Sequence, residues 1–189
     1  MTYKDVMLVS PDDLKAGTYI NFNVDDATLS PAIRETQDVW LQSIIGTRLY
    51  NRVLELVFNA IQETEDTIDD EANAMYKDLL DDYIIPYLNA KVQAVLVLPD
   101  SYPTRNMGVV HPSDTNLNAE QQTNVLKLQQ RYNATADRYA TLLSQFLCQN
   151  RKAFPELNTG SCCGDLYEPQ LGKRFVHVGI TFPEGNTCC

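Results

Sequence analysis

Histidine is almost missing from this chain. His111 and His177 are the only two, and neither has acidic or cysteine neighbours at metal-ligand spacing. Both therefore read as ordinary loop or strand residues. A glycine-rich phosphate loop, a dinucleotide fingerprint, a His-Glu metal helix, a kinase set and a nucleophile elbow are absent as well. Basic residues are outnumbered 15 to 25, giving a net charge of −10. That balance argues against a protein that grips nucleic acid by neutralising phosphates and against docking on an anionic membrane. Nor does any apolar run reach the roughly 18 uninterrupted residues that would suggest a membrane span. No charged-then-apolar leader opens the sequence, so a reducing cytoplasm is the expected setting.

Cysteine is sparse and oddly placed: Cys148 stands alone, followed by the pairs Cys162-Cys163 and Cys188-Cys189. Five is an odd number and the spacing does not suggest a disulfide framework. Structural zinc takes cysteines two to four apart, because adjacent residues cannot easily both reach one tetrahedral ion. No metal is therefore expected. A prenylation box is lacking too, since Asn186 occupies the position its cysteine would need.

What the chain does have is one strongly apolar stretch, Tyr83 to Leu98, in which only Asn89, Lys91 and Gln93 are clearly polar. Apolar on nearly every side, it predicts a helix of about 83–99 buried at the centre of a bundle. Around it the reading is mainly α, one domain with an appendage. Residues 1–150 form a helical unit with an extended arm over 1–29 and a bundle over 30–150. Residues 151–189 form a C-terminal extension.

Within the arm, Ser10-Pro11-Asp12-Asp13 starts a short helix that Gly17 stops, and Thr18 to Val24 alternates weakly, as an extended segment would. Ser30-Pro31 predicts a second start, with Ile33, Trp40 and Ile44 on one face, Gln37 interrupting it and Gly46 ending it. Thr47 is the expected cap of a third helix carrying Leu49, Val53, Leu56, Val57, Ala60 and Ile61. Residues 63–71 form a solvated acidic loop without the glycine and acid spacing of a calcium site. A fourth helix from about Ala72 buries Ala72, Met75, Tyr76, Leu79 and Tyr83. Pro86 implies a break near Tyr83–Ile85, and Pro99 and Pro103 end the central helix.

A loop over 100–117 follows, long enough to need a reason. The last long helix runs from about Asn118 to Asn150. Its Val125, Leu128, Tyr132, Thr135, Tyr139, Leu142 and Phe146 step by three and four, a heptad seam for the bundle or for a neighbouring subunit. Residues 151–189 hold five of the eight glycines, and little there favours helix. One strand stands out, at about 173–182, with Val176, Val178, Ile180 and Phe182 on one face. A lone strand is not stable, so it needs a partner.

Candidate paired carboxylates exist at Asp78, Asp81 and Asp82 and in the 63–71 loop, but solvation explains them. Catalytic residues and cofactors are therefore expected to be none. An enzyme using the acidic cluster and His111 is the lowest-ranked reading.

Several words of the sequence occur together in a recognisable order: T-Y-I-N-x-N-V-D-D, P-A-I-R-E-x-Q-D and I-G-T-x-L-Y within Leu14–Tyr50, D-Y-I-x-P-Y-L within Asp81–Leu98, and S-Y-x-x-R-N-x-G-V-V over Ser101–Val110. In that order the chain resembles the small head–tail connector, or ring, proteins of tailed phages, in the form found in crAss-like and other Bacteroidetes phages. The cysteine-rich tail lies outside the pattern.

The resemblance implies a non-enzymatic virion protein located in the neck and assembled in the bacterial host cytoplasm. It would form a ring, commonly of twelve copies, beneath the portal. Portal or an adjacent ring would lie on one side and a tail component on the other, with DNA passing only as cargo. The partner-binding residues expected are Tyr102, Arg105, Asn106 and Met107 in the long loop, and Arg174, Phe175, Val176, Val178, Ile180 and Phe182 in the C-terminal strand. The alternative is a monomeric cytosolic helical module that docks a peptide or small ligand by the 100–117 loop.

Overall fold

Helix dominates the described residues. A computed structural model describes residues 2–101, 104–105, 108–109 and 122–157. Helix α1 (Pro11–Gly17) starts as expected, the Ser10 hydroxyl accepting the Asp13 N–H at 3.1 Å. A Cβ on Gly17 would come within 2.9 Å of Asn89 Nδ2, so glycine lets the end of α1 lie against the central helix.

Helix α2 (Asp26–Glu35) begins upstream of the expected Ser30-Pro31 start. Asp25 is its cap, accepting the Ala27 N–H at 3.0 Å, and Pro31 lies inside the helix. An aspartate pair at the positive end of the dipole supplies both cap and charge. The helical path then widens into a π turn over Thr36–Leu41 and returns to α geometry in α3 (Gln42–Ile45). Gly46 ends it at φ 81°, ψ 154°, a backbone conformation reserved almost entirely for glycine. Gly46 rather than Thr47 also occupies the cap of α4 (Thr47–Ile61), and the Thr47 hydroxyl accepts from Gln42 Nε2 instead. Helix α4 buries Leu49, Val53 and Leu56 as its rhythm predicts, while Ile61 faces solvent.

The acidic loop is held down rather than loose. Ile68 is buried, and the buried Asn73 donates to Asp66 Oδ1 at 2.9 Å and to the Thr67 carbonyl at 2.8 Å. Asn73 takes the buried place expected of Ala72, which is exposed. Helix α5 (Ala74–Leu79) follows. The break expected near Tyr83–Ile85 is a second π turn, Leu80–Ile84, that runs without interruption into α6 (Ile85–Ser101). Widening the turn ahead of Pro86 relieves the clash its ring would make in a regular helix. Pro99 does not end α6, which continues to Ser101.

No side chain from 85 to 97 is exposed, so α6 is the buried centre of the described fold. It packs chiefly on α7 (Gln122–Gln149), and also on α2 and the first π turn. Between α6 and α7, β1 (Thr104–Arg105) and β2 (Gly108–Val109) pair antiparallel, with Arg105 opposite Gly108.

Val125 is buried as expected, but from Ala136 onward the buried stripe of α7 lies one residue beyond the expected seam. Ala136, Ala140, Leu143 and Leu147 are at 3% exposure or less, whereas Thr135 is exposed and Tyr139, Leu142 and Phe146 are half-buried. Leu128 is exposed. One residue is a 100° rotation on a helix. Small alanines face α6 because they allow close approach, leaving the larger side chains to wedge the flanks.

The expected extended arm is also revised. Val6, Leu8, Val9 and Leu14 are buried in the main core. Gln37, read as an interruption of an apolar face, is itself fully buried. Its Nε2 donates to the Val6 carbonyl at 3.0 Å, and its Oε1 accepts the Leu8 N–H at 2.9 Å. At the other end the core passes Asn150. Two 3-10 turns, Arg151–Ala153 and Pro155–Leu157, bury Phe154 and Leu157, with the Phe154 ring 5.2 Å from that of Tyr76. The C-terminal strand expected at 173–182 lies outside the described residues.

Candidate interaction surface

The turn between α1 and α2 presents the most exposed large apolar side chains of the described residues, Tyr19 at 90% and Phe22 at 71%. Thr18 to Val24 is a turn rather than a strand. The Asn21 side chain accepts the Asn23 N–H at 2.9 Å, and the Asn21 carbonyl accepts the Val24 N–H at 3.1 Å. Asparagine favours this local geometry because its amide can substitute for a backbone partner. Ile20 and Val24 pack against the core, so the turn is fastened while its two aromatics face outward.

Tyr19 also forms one wall of a groove of about 490 Å³, with Ala90 and Gln93 of α6 and Arg131, Tyr132 and Thr135 of α7. Lys91 of α6 is 6% exposed. Its ammonium donates to Asn133 Oδ1 at 2.8 Å and sits 4.0 Å from the centre of the Trp40 ring. Burial lowers its pKa, and the charges of Asp137 and Glu35 partly oppose that shift. A hydrogen bond and an aromatic face thus keep a charge in the core, joining the first π turn, α6 and α7. This arrangement is built to hold helices in register. Two residues to either side of Lys91 along α6, Asn89 Oδ1 and Gln93 Oε1 are buried without a hydrogen-bond partner.

Elsewhere polar contacts fasten the surface. Arg52 bridges Asp66 at 2.8 Å and Glu55 at 3.2 Å, and Lys77 pairs with Asp69 at 2.6 Å. Tyr76 donates to Glu156 at 3.0 Å, and burial with that carboxylate pushes its phenol up to about 12. Among the described residues, no three His, Cys, Asp or Glu side chains converge as metal ligands, and no helix is long and apolar enough to cross a membrane.

Of the expected partner-binding residues, Arg105 alone falls in a described segment, the β1 strand. Tyr102, Asn106, Met107, Arg174, Phe175, Val176, Val178, Ile180 and Phe182 lie outside it. His111 and the two cysteine pairs do too. The exposed Tyr19 and Phe22 were not singled out from sequence. The available signal was two aromatics set among asparagines, a turn composition rather than a strand composition.

Residues 41–166 match the model of a family described as a family of unknown function, DUF6712. The chain belongs to this family. The DUF6712 match takes in α3 to α7 and the two 3-10 turns after them, including Phe154 and Leu157. It begins after most of the first π turn, so the core-packed arm and α2 precede it. No curated protein and no solved structure matches the chain.

Proposed function

We propose that this chain is a non-enzymatic virion structural protein, a head–tail connector that forms a ring, commonly of twelve copies, below the portal. Portal or an adjacent ring protein contacts one side, a tail component contacts the other, and genomic DNA passes through the centre as cargo. Its place is the neck of the virion, assembled in the bacterial host cytoplasm. The extension over 151–189 adds its strand at about 173–182 to a sheet of a neighbouring molecule. The resemblance over Leu14–Tyr50, Asp81–Leu98 and Ser101–Val110 supplies the family expectation.

The observation that carries the reading is the contrast between a core packed around α6 and an outward-facing aromatic pair, Tyr19 and Phe22. Large aromatics held in solvent on a fastened turn are characteristic of an association surface. They lie within T-Y-I-N-x-N-V-D-D, one of the words that carry the resemblance.

The test is co-expression of the full chain with a portal protein from the same genome, followed by particle imaging. Rings on the portal are expected. Chains that stay single with and without portal would end the connector reading. Truncation belongs after Leu157 rather than Asn150, because Phe154 and Leu157 are part of the core. That shortened chain is expected to keep its circular dichroism and melting temperature while assembling poorly. Unchanged assembly would remove the C-terminal strand from the interface.

A second reading, a monomeric cytosolic module that docks a peptide or small ligand, is favoured by the groove at Tyr19, Gln93 and Arg131. Light scattering on the full chain separates the two readings when portal is supplied.

A further inference from the structure

Charge is divided unevenly between two surfaces of this chain. Residues 63–82 hold nine acidic side chains against one lysine, Lys77, and so carry most of the net charge of −10. All nine are exposed. They do not sit on a loose loop, because Ile68 is buried and its N–H donates to the Leu56 carbonyl at 3.2 Å.

Helix α7 has the opposite balance, with Lys127, Arg131 and Arg138 against the single acid Asp137. The three cations are exposed, and none forms an ion pair with another described residue. Leu128, Arg131, Thr135 and Arg138 step by three, four and three along the outer stripe, and Leu128 is 43% exposed. An exposed leucine among cations has the make-up of an apolar contact with a polar rim.

Two copies meeting through the same patch would oppose like charges, whether α7 met α7 or the acidic surface met itself. Pairing α7 with the acidic surface instead opposes unlike charges. Such a head-to-tail contact leaves one free face on each copy, so it propagates and can close into a ring. We infer that the outer stripe of α7, centred on Lys127, Leu128, Arg131 and Arg138, docks on the 63–82 surface of a second copy of this chain. The inference rests on the ring reading above and locates its subunit contact.

The experiment uses full-length chains, alone and co-expressed with portal, with mass photometry as the readout at low and at raised salt. One variant carries Arg131→Glu with Arg138→Glu. The other carries Asp78→Lys with Asp81→Lys. All four positions are exposed, so circular dichroism should match that of the parent. Each variant alone is expected to lose self-association by about 100-fold or more, and a mixture of the two should recover it because opposite charges face each other again. Raised salt should weaken the parent contact. If the parent forms rings and both variants form them equally well, the inference fails while the ring reading stands. Failure of the mixture to recover assembly also overturns it. Parent chains that stay single with portal present overturn both.

Discussion

Replacing Gln37 with methionine tests how the N-terminal segment is held. The new side chain nearly matches the old in volume, so packing is kept while the amide is lost. Two backbone groups are then stranded: the Val6 carbonyl loses its donor at 3.0 Å, and the Leu8 N–H loses its acceptor at 2.9 Å. Each unsatisfied buried group costs about 1–3 kcal/mol, so the pair costs roughly 2–6 kcal/mol if the segment stays in place.

Release of the segment sets a ceiling on that cost. Letting residues 2–9 detach would hydrate both groups but expose Val6, Leu8 and Val9, all at 8% exposure or less. Fully exposing a side chain of this kind costs about 1.5–3 kcal/mol. The two outcomes therefore compete, and local detachment is expected to take part. Trp40, the single tryptophan, lies in the same π turn as Gln37 and reports on the site by fluorescence. Urea unfolding should show a loss of about 2–4 kcal/mol, a large share of an ordinary domain's stability. Hydrogen exchange should accelerate at Leu8 more than at Val92 in α6. A loss below about 0.5 kcal/mol, the size of a neutral surface change, with Leu8 exchange unchanged would refute the clamp.

The displaced seam on α7 gives a paired test. Ala136→Leu should destabilise by about 1–3 kcal/mol through overpacking against α6, whereas Leu128→Ala should stay within about 0.5 kcal/mol; thermal melts decide, and the reverse order would restore the seam read from sequence. Spectrophotometric titration gives a third prediction. Tyr76 rises from 10.0 to about 12, and Tyr50 and Tyr87 are shifted upward as well, chiefly by burial, with Asp38 bonded to Tyr50 and Asp137 near Tyr87. Folded phenols hold their protons above the unfolded value, so this stabilisation is complete below about pH 10 and declines as pH rises toward the folded values. A late-titrating tyrosine class should appear together with unfolding, and Tyr76→Phe should reduce the alkaline loss. Titration of all tyrosines near pH 10 in the folded protein would contradict it.

Local and compositional features of this fold were legible in the sequence. The cap at Ser10, the stop at Gly46 and the burial of Leu49, Val53 and Leu56 depend on neighbours within a turn or two, which is the range a sequence pattern reports. The burial of 85–97 follows from composition alone, since a helix apolar on nearly all sides has no face to give to water. The surface that carries the functional reading was less legible. Tyr19 and Phe22 look like core residues by type, and their exposure depends on which neighbours cover them.

Tertiary structure decided the rest. Heptad spacing fixes the period of α7 but not its rotation, and the choice of Ala136 and Ala140 over Thr135 and Tyr139 came from how closely α6 must approach. Pro86 is a break in a regular helix, yet a π turn ahead of it let the chain pass. Gln37 reads as a flaw in an apolar stripe until the backbone of residues 6–8 arrives from 31 positions away at its farthest, bringing an acceptor and a donor for its amide. Sequence determines what each segment prefers; packing between segments determines which face, cap and partner that preference receives.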